Sequence, residues 1–272
     1  MSNLQLRIIS ALVLGAAVLA LTYLGGLPFR LLMAAMAAAI FHEWTSMGRT
    51  RSSRAHFALA WLLTGLILLL LIAGAGPQIS FGVLCGAVLV CLLHAWLARQ
   101  GGWTAAGLLY AVAPALALSF LRSDSLAGFA AMLFLFAVVW VTDILAYFTG
   151  RAVGGPKLAP SISPGKTWSG AIGGTVFGVI AGLAVVAWTG SLLGTAAMAT
   201  VALCLSIVSQ LGDLFESAMK RRHGVKDSGN LIPGHGGVMD RVDGLVAAAA
   251  LFYLIGAFIA GGASPAGGFF QP

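Results

Sequence analysis

Residues 213–243 hold five of the chain's eight acidic residues and, with Lys220, Arg221, Arg222, Lys226 and Arg241, five basic ones. Read as the end of a helix, Gln210 to Lys220 puts Asp213, Glu216, Ser217 and Lys220 at i, i+3, i+4 and i+7, on one face. Such a mixed stripe can hold a divalent metal and a phosphate together. Gly, Pro, Asn and Asp then break the helix between Gly224 and Gly237, and His235-Gly236-Gly237 lets backbone approach a ligand closely. Asp240 and Asp243 open a further helix one turn apart. Singly, Asp240 reads as an N-cap and Asp243 as a favourable helix-dipole charge. Together with the neighbouring Lys and Arg, these carboxylates are the provision a Mg²⁺–nucleotide triphosphate needs, because Mg²⁺ takes one or two carboxylates and completes its shell with substrate oxygens and water.

Two further segments carry polar chemistry. Asp143 lies near the end of a long apolar run, with Tyr147 one turn away on the same face. A carboxylate there is costly, so it should face a cavity or a partner. The loop Lys157–Trp168 has two prolines and several hydroxyls, and reads as a stiff, non-helical segment. Its Gly165-Lys166-Thr167 imitates the end of a Walker A loop, but Pro160 stands where that motif needs its first glycine. A P-loop is therefore excluded. What remains is a surface loop with Ser163 and Lys166 available to a phosphate, or a plain basic interfacial loop.

The elements that must position these groups are membrane helices. Sixty per cent of the residues are apolar and eight per cent charged. Apolar runs long enough to cross a ~30 Å hydrocarbon core recur along the whole chain. Nine spans are expected, at about 6–24, 28–44, 57–74, 79–97, 104–121, 126–149, 169–189, 191–210 and 243–261. The fold class is an all-α, polytopic transmembrane bundle, and 1–272 reads as a single integral membrane domain. Residues 1–125 read as mainly scaffold and 140–244 as the catalytic half. The uncharged Gly/Ala/Pro-rich tail, 262–272, reads as disordered. With the N-terminus in the cytosol, all of the fifteen Lys and Arg residues except Arg30 and Arg122 fall on the cytosolic side. The first apolar run is longer than a signal-peptide core and is expected to stay as a helix. His42 and Glu43 read as the interfacial end of the second span, and Arg49–Arg54 as a topology anchor.

The net charge of +7 calls for an anionic partner. Nucleic acid is not expected, since there is no soluble basic domain. Anionic lipid and nucleotide phosphate are the candidates. Cys85, Cys91 and Cys204 sit in apolar runs without metal-ligand spacing and read as packing residues.

Ser217, Met219, Lys220-Arg221, Lys226-Asp227, Gly229, Ile232, Pro233, His235-Gly236-Gly237, Val238, Asp240-Arg241, Val242 and Asp243 match every fixed position of a signature. In that signature the sequence resembles the phosphatidate cytidylyltransferase family. Gly212–Ser217 and the loop Lys157–Trp168 resemble the family's lead-in and central loop. Ser169, Ile144-Leu145 and Gly244 depart from its usual residues.

The resemblance implies transfer of the cytidylyl group of CTP to phosphatidate, giving CDP-diacylglycerol and pyrophosphate. It implies a bacterial cytoplasmic (inner) membrane enzyme with its site facing the cytosol, and a homodimer. On this reading Asp213, Asp240 and Asp243 hold Mg²⁺, with room for a second cation, and Asp213, Lys226, Asp240 and Asp243 are catalytic. Ser163, Lys166, Ser217, Lys220, Arg221, His235, Gly236, Gly237 and Arg241 contact substrate phosphates. Asp143, Glu216 and Asp227 are accessory. A CTP-using lipid kinase or related cytidylyltransferase, and a transporter, are the alternatives that product identity and liposome flux separate.

Overall fold

In hydrocarbon no water satisfies the backbone, so an apolar chain closes its hydrogen bonds within each segment as helix. The computed structural model describes residues 3–48, 53–232, 236–261 and 264–271. Among them are nine α-helices: α1 (Asn3–Leu24), α2 (Gly26–Met47), α3 (Arg54–Ala73), α4 (Pro77–Leu97), α5 (Trp103–Arg122), α6 (Leu126–Val153), α7 (Trp168–Thr189), α8 (Thr195–Arg222) and α9 (Met239–Ile259). Helices α3 to α9 are long and apolar enough to cross a membrane, while α1 offers the shorter apolar stretch Ser10–Leu24. The chain is therefore a polytopic helical membrane protein. Local chemistry sets the helix ends. Ser53, Ser125 and Thr167 cap α3, α6 and α7 by accepting from the amides of His56, Gly128 and Gly170. Gly74, at φ 81°, closes α3 in the left-handed region. Lys220, Arg221 and Arg222 end α8, where its dipole favours cations.

The Lys157–Trp168 segment, read as stiff and non-helical, folds as a short hairpin. β1 (Lys157–Ala159) and β2 (Ser163–Thr167) pair antiparallel, with Lys157 opposite Thr167 and Ala159 opposite Ser163. Pro160-Ser161-Ile162 makes the turn.

The chain forms two compact units. One comprises Met1–Ser119 with His223–Arg241, the other Phe120–Arg222 with Val242–Pro272. In the first, Trp44 of α2 and Trp103 of α5 stack at 4.2 Å, and each indole N–H donates to the other's carbonyl. The Trp103 ring also meets His223, at 4.2 Å, so the returning segment has an aromatic anchor on helices read as scaffold. His56 and His94 stack between α3 and α4 with their Nδ1 atoms 3.0 Å apart.

In the second unit, α6 and α7 pack through small residues. Gly170, Gly174, Gly178 and Gly182, four apart, are the buried residues of α7. A Cβ on Gly174 would lie 2.6 Å from the Thr142 carbonyl oxygen and 2.7 Å from the Ala146 Cβ. This small-xxx-small seam lets the backbones touch where no hydrophobic force drives helices together. Gly174→Val should open it and destabilise the unit by about 1–3 kcal/mol, read as a lower unfolding temperature in detergent.

The tail corrects an expectation. Residues 264–271 are packed, and include a short 3-10 turn, Ala266–Gly268. Phe269 and Phe270 are buried; Phe269 stacks on Phe252 at 4.4 Å, and Phe270 meets Phe134 at 5.9 Å. Ser191 Oγ and the Leu192 amide both donate to the Phe269 carbonyl. Two large aromatic side chains outweigh the flexible composition around them.

Candidate active site

The hairpin lies across the C-terminal ends of α6 and α8 and the start of α7. Trp168 donates its amide to the Pro156 carbonyl at 3.0 Å, and Ser169 Oγ donates to the Gly154 carbonyl, so the base of the hairpin is tied at both sides. Ser169, a departure from the family pattern, therefore has a structural use. This placement brings Lys166 of β2 onto Asp213 of α8 in an ion pair, each side chain about a quarter exposed (28% and 26%). A cleft of about 340 Å³ opens beside the pair, lined by Asp143, Tyr147, Ser163, Lys166, Gln210 and Asp213. Asp143 and Tyr147 share a face as expected, and Asp143 meets the cavity that its cost demanded. Tyr147 accepts from Arg151 Nη1 at 3.0 Å.

Gln210 was not singled out from the sequence. It stands three residues before Asp213 on α8, and that spacing is the signal that could have found it. Its Nε2 donates to Thr175 Oγ1 at 2.9 Å, which orients the amide at the cleft wall. Thr175 Oγ1 in turn accepts from Ser206 Oγ at 3.2 Å, and Ser206 Oγ lies 2.9 Å from Thr142 Oγ1, so a line of hydroxyls supports the wall.

The expected stripe on α8 is present, but its members pair one turn apart. Ser217 Oγ donates to Asp213 Oδ1 at 3.3 Å, and Lys220 Nζ meets the fully buried Glu216 at 2.7 Å. Arg221 Nε reaches the Ile162 carbonyl in the hairpin turn at 3.4 Å. Asp243 of α9 accepts from the Gly244 amide at 2.8 Å, and its charge interacts with those of Asp143, Asp213 and Glu216. Gly244 lies against Ser209: a Cβ there would be 3.0 Å from the Ser209 carbonyl oxygen. Lys166 and Lys220 place cations directly on two carboxylates of this unit, Asp213 and Glu216.

Among the described residues no group of three or more His, Cys, Asp or Glu side chains is close enough to hold a metal ion unaided. Mg²⁺ asks for less from the protein, since one or two carboxylates suffice when phosphate oxygens complete the shell. Asp213, which lines the cleft, is one such carboxylate.

Asp240 is placed differently. Its Oδ2 accepts from the Ser228 amide (2.9 Å), Ser228 Oγ (2.9 Å) and the Gly237 amide (2.8 Å). The carboxylate thus closes the loop from Ser228 to Gly237 on itself, a role the N-cap reading only approached. Gly236, at φ 83°, occupies a left-handed turn there, and Ile232 donates its amide to the Gly236 carbonyl at 2.9 Å. Lys226, Asp227 and Arg241 are exposed along the same segment. His235 lies outside the described residues, as do Arg49 and Arg51.

Glu43, read as an interfacial residue with pairing to a partner helix as the alternative, is the second group not assigned to the site from the sequence. It is 1% exposed and reaches the same loop from α2.

The cytidylyltransferase family model matches residues 5–259 of this chain. A phosphatidate cytidylyltransferase of Brucella suis biovar 1 is 53% identical over 273 residues, covering 100% of both chains. One of Haemophilus influenzae is 34% identical over 285 residues, covering 92% of this chain and 97% of its own. One of Staphylococcus haemolyticus is 47% identical over 122 residues, 45% of this chain and 46% of its own.

Proposed function

This chain belongs to the cytidylyltransferase family, and from that premise we propose that it transfers the cytidylyl group of CTP to phosphatidate, giving CDP-diacylglycerol and pyrophosphate. The observation that carries the site assignment is the meeting of Lys166 and Asp213 at a cleft walled by α6, α7, α8 and the hairpin. A lipid phosphate attached to membrane-embedded acyl chains can enter such a cleft, and a soluble nucleotide can meet it there.

The phosphatidate oxygen is already anionic, so it needs little general-base help. It attacks the α-phosphorus of CTP in line. The new O–Pα bond forms as the bond from Pα to the bridging oxygen breaks, and pyrophosphate leaves with that electron pair. The difficulty is bringing two polyanions together. Fixed cations supply the screening, and they act most strongly where water is excluded. Lys166 sits at the cleft with Ser163 to hold a substrate phosphate. Arg221, Lys226 and Arg241 offer further cations, while the Gly237 amide is already given to Asp240. Lys220 acts through Glu216, its neighbour on α8.

Asp213 and Asp243 are the residues that would hold Mg²⁺, and Asp143 lines the same cleft as Asp213. Bound there, the metal would neutralise triphosphate charge and stabilise the leaving pyrophosphate. The N-terminus is assigned to the cytosol and the site to the cytosolic face of the bacterial inner membrane, where the basic loops gather. A homodimer is the proposed assembly, which the Gly- and Ala-rich helix faces permit.

The test is conversion of α-labelled CTP into organic-extractable product by purified protein with phosphatidate and Mg²⁺. Label should enter lipid only when phosphatidate is present, and EDTA should stop it. Label transferred from the γ-position would indicate a lipid kinase. Flux across liposomes without nucleotide consumption would indicate a transporter.

A further inference from the structure

We infer that Glu43 is a positioning residue for CTP use: it ties Ser228 to the start of α9, between the stretches that carry Lys226 and Arg241. The inference rests on the proposed function for its substrate, but its geometry stands alone.

Helix α9 begins at Met239, and the residue before it is Val238, whose side chain has no acceptor. The first amides of a helix need partners, and a buried one left unpaired is costly. Glu43 supplies them from α2. Its Oε1 accepts from the Val238 amide at 2.8 Å, and its Oε2 from the Met239 amide at 2.7 Å. A carboxylate at a helix N-terminus is also favoured by the helix dipole.

The same carboxylate is tied to the other end of the loop. Ser228 Oγ lies 3.1 Å from Glu43 Oε2 and 2.9 Å from Asp240 Oδ2, so one buried hydroxyl bridges two carboxylates. Two glycines of the signature make the space. A Cβ on Gly229 would lie 2.9 Å from Glu43 Oε1, and one on Gly237 would lie 2.7 Å from it. These glycines therefore admit a protein carboxylate, a use separate from approach to phosphate. An inward-turned Glu43 with the Asp240–Ser228 bond sets where Lys226 and Arg241 emerge.

The test uses the full-length protein in detergent, as wild type, Glu43→Gln and Ser228→Ala. Gln is isosteric but turns an N–H₂ group toward backbone donors, and Ser228→Ala removes only the bridging hydroxyl. Glu43→Gln is expected to lower kcat/KM for CTP by about 10–100-fold, mainly through KM, with the KM for phosphatidate unchanged. Backbone hydrogen exchange of residues 226–240 should quicken in both variants while peptides from α6 to α8 keep their protection. The two substitutions together should cost less than the product of their separate effects, since both break one network. Glu43→Asp, which keeps the charge one methylene short, should recover part of the loss.

CTP parameters within twofold of wild type, or exchange that quickens equally in every helix, would overturn the inference. Wild-type protein that makes no labelled lipid would instead overturn the functional reading. Loop exchange would in that case still decide whether Glu43 holds the segment.

Discussion

Asp213→Asn should leave a folded membrane protein that has lost at least about 100-fold in cytidylyl transfer. The carboxylate faces the cleft, pairs with Lys166, and shares its electrostatic surroundings with Asp143 and Asp243. Asparagine keeps the size of the side chain but removes the charge that would hold Mg²⁺ and orient the lysine. Packing is little changed, because the side chain borders a cavity, so the unfolding temperature should move little. The companion variant Lys166→Met decides what the ion pair is for. If the pair is only structural, the double variant should be no worse than either single one. If Lys166 serves substrate phosphate while Asp213 serves the metal, the double variant should fall below both. Near-normal turnover by Asp213→Asn would remove the metal assignment from α8.

Asp240→Asn should also lose about 100-fold or more, but for a different reason. Three donors converge on one carboxylate oxygen, and hydrogen bonds to a charged acceptor contribute roughly 1.5–3 kcal/mol each. Asn must turn toward those donors either an N–H₂ group or a neutral carbonyl, a weaker acceptor than the carboxylate. The loop from Ser228 to Gly237 should then exchange its amide hydrogens faster, which Asp213→Asn should not cause. A variant that loses activity with loop protection intact, and regains it at high Mg²⁺, would restore Asp240 to the metal site. Loss of protection with no Mg²⁺ rescue would establish it as the closure of the loop. The two aspartates thus predict similar kinetic losses and opposite exchange behaviour.

The difference between these carboxylates explains how far the sequence could be read. Asp213, Asp240 and Asp243 look alike in a charged segment of an apolar chain, and each was expected at a metal. In the structure Asp213 meets Lys166, 47 residues away, whereas Asp240 turns back on Ser228, 12 residues away. No periodicity separates those fates, because they depend on which neighbours packing delivers. The hairpin shows the same limit. Prolines and hydroxyls exclude helix locally, but pairing Lys157 with Thr167 needs both strands in place. The tail shows the reverse error: its composition is that of a flexible segment, while Phe269 and Phe270 find a ready aromatic surface in Phe252 and Phe134.

What the sequence determined by itself was local or linear. Apolar runs of bilayer length required helices, since a lipid-exposed backbone has no other way to satisfy its hydrogen bonds. A carboxylate at Asp143 required a cavity or a partner, and the signature from Ser217 to Asp243 identified the family. The tertiary structure alone decided which charges meet. Glu43 lies 195 and 196 residues before the amides it receives and carries no local mark of that role. Its meaning arises only when α2 packs beside the start of α9, because a buried carboxylate is tolerated solely where donors converge on it.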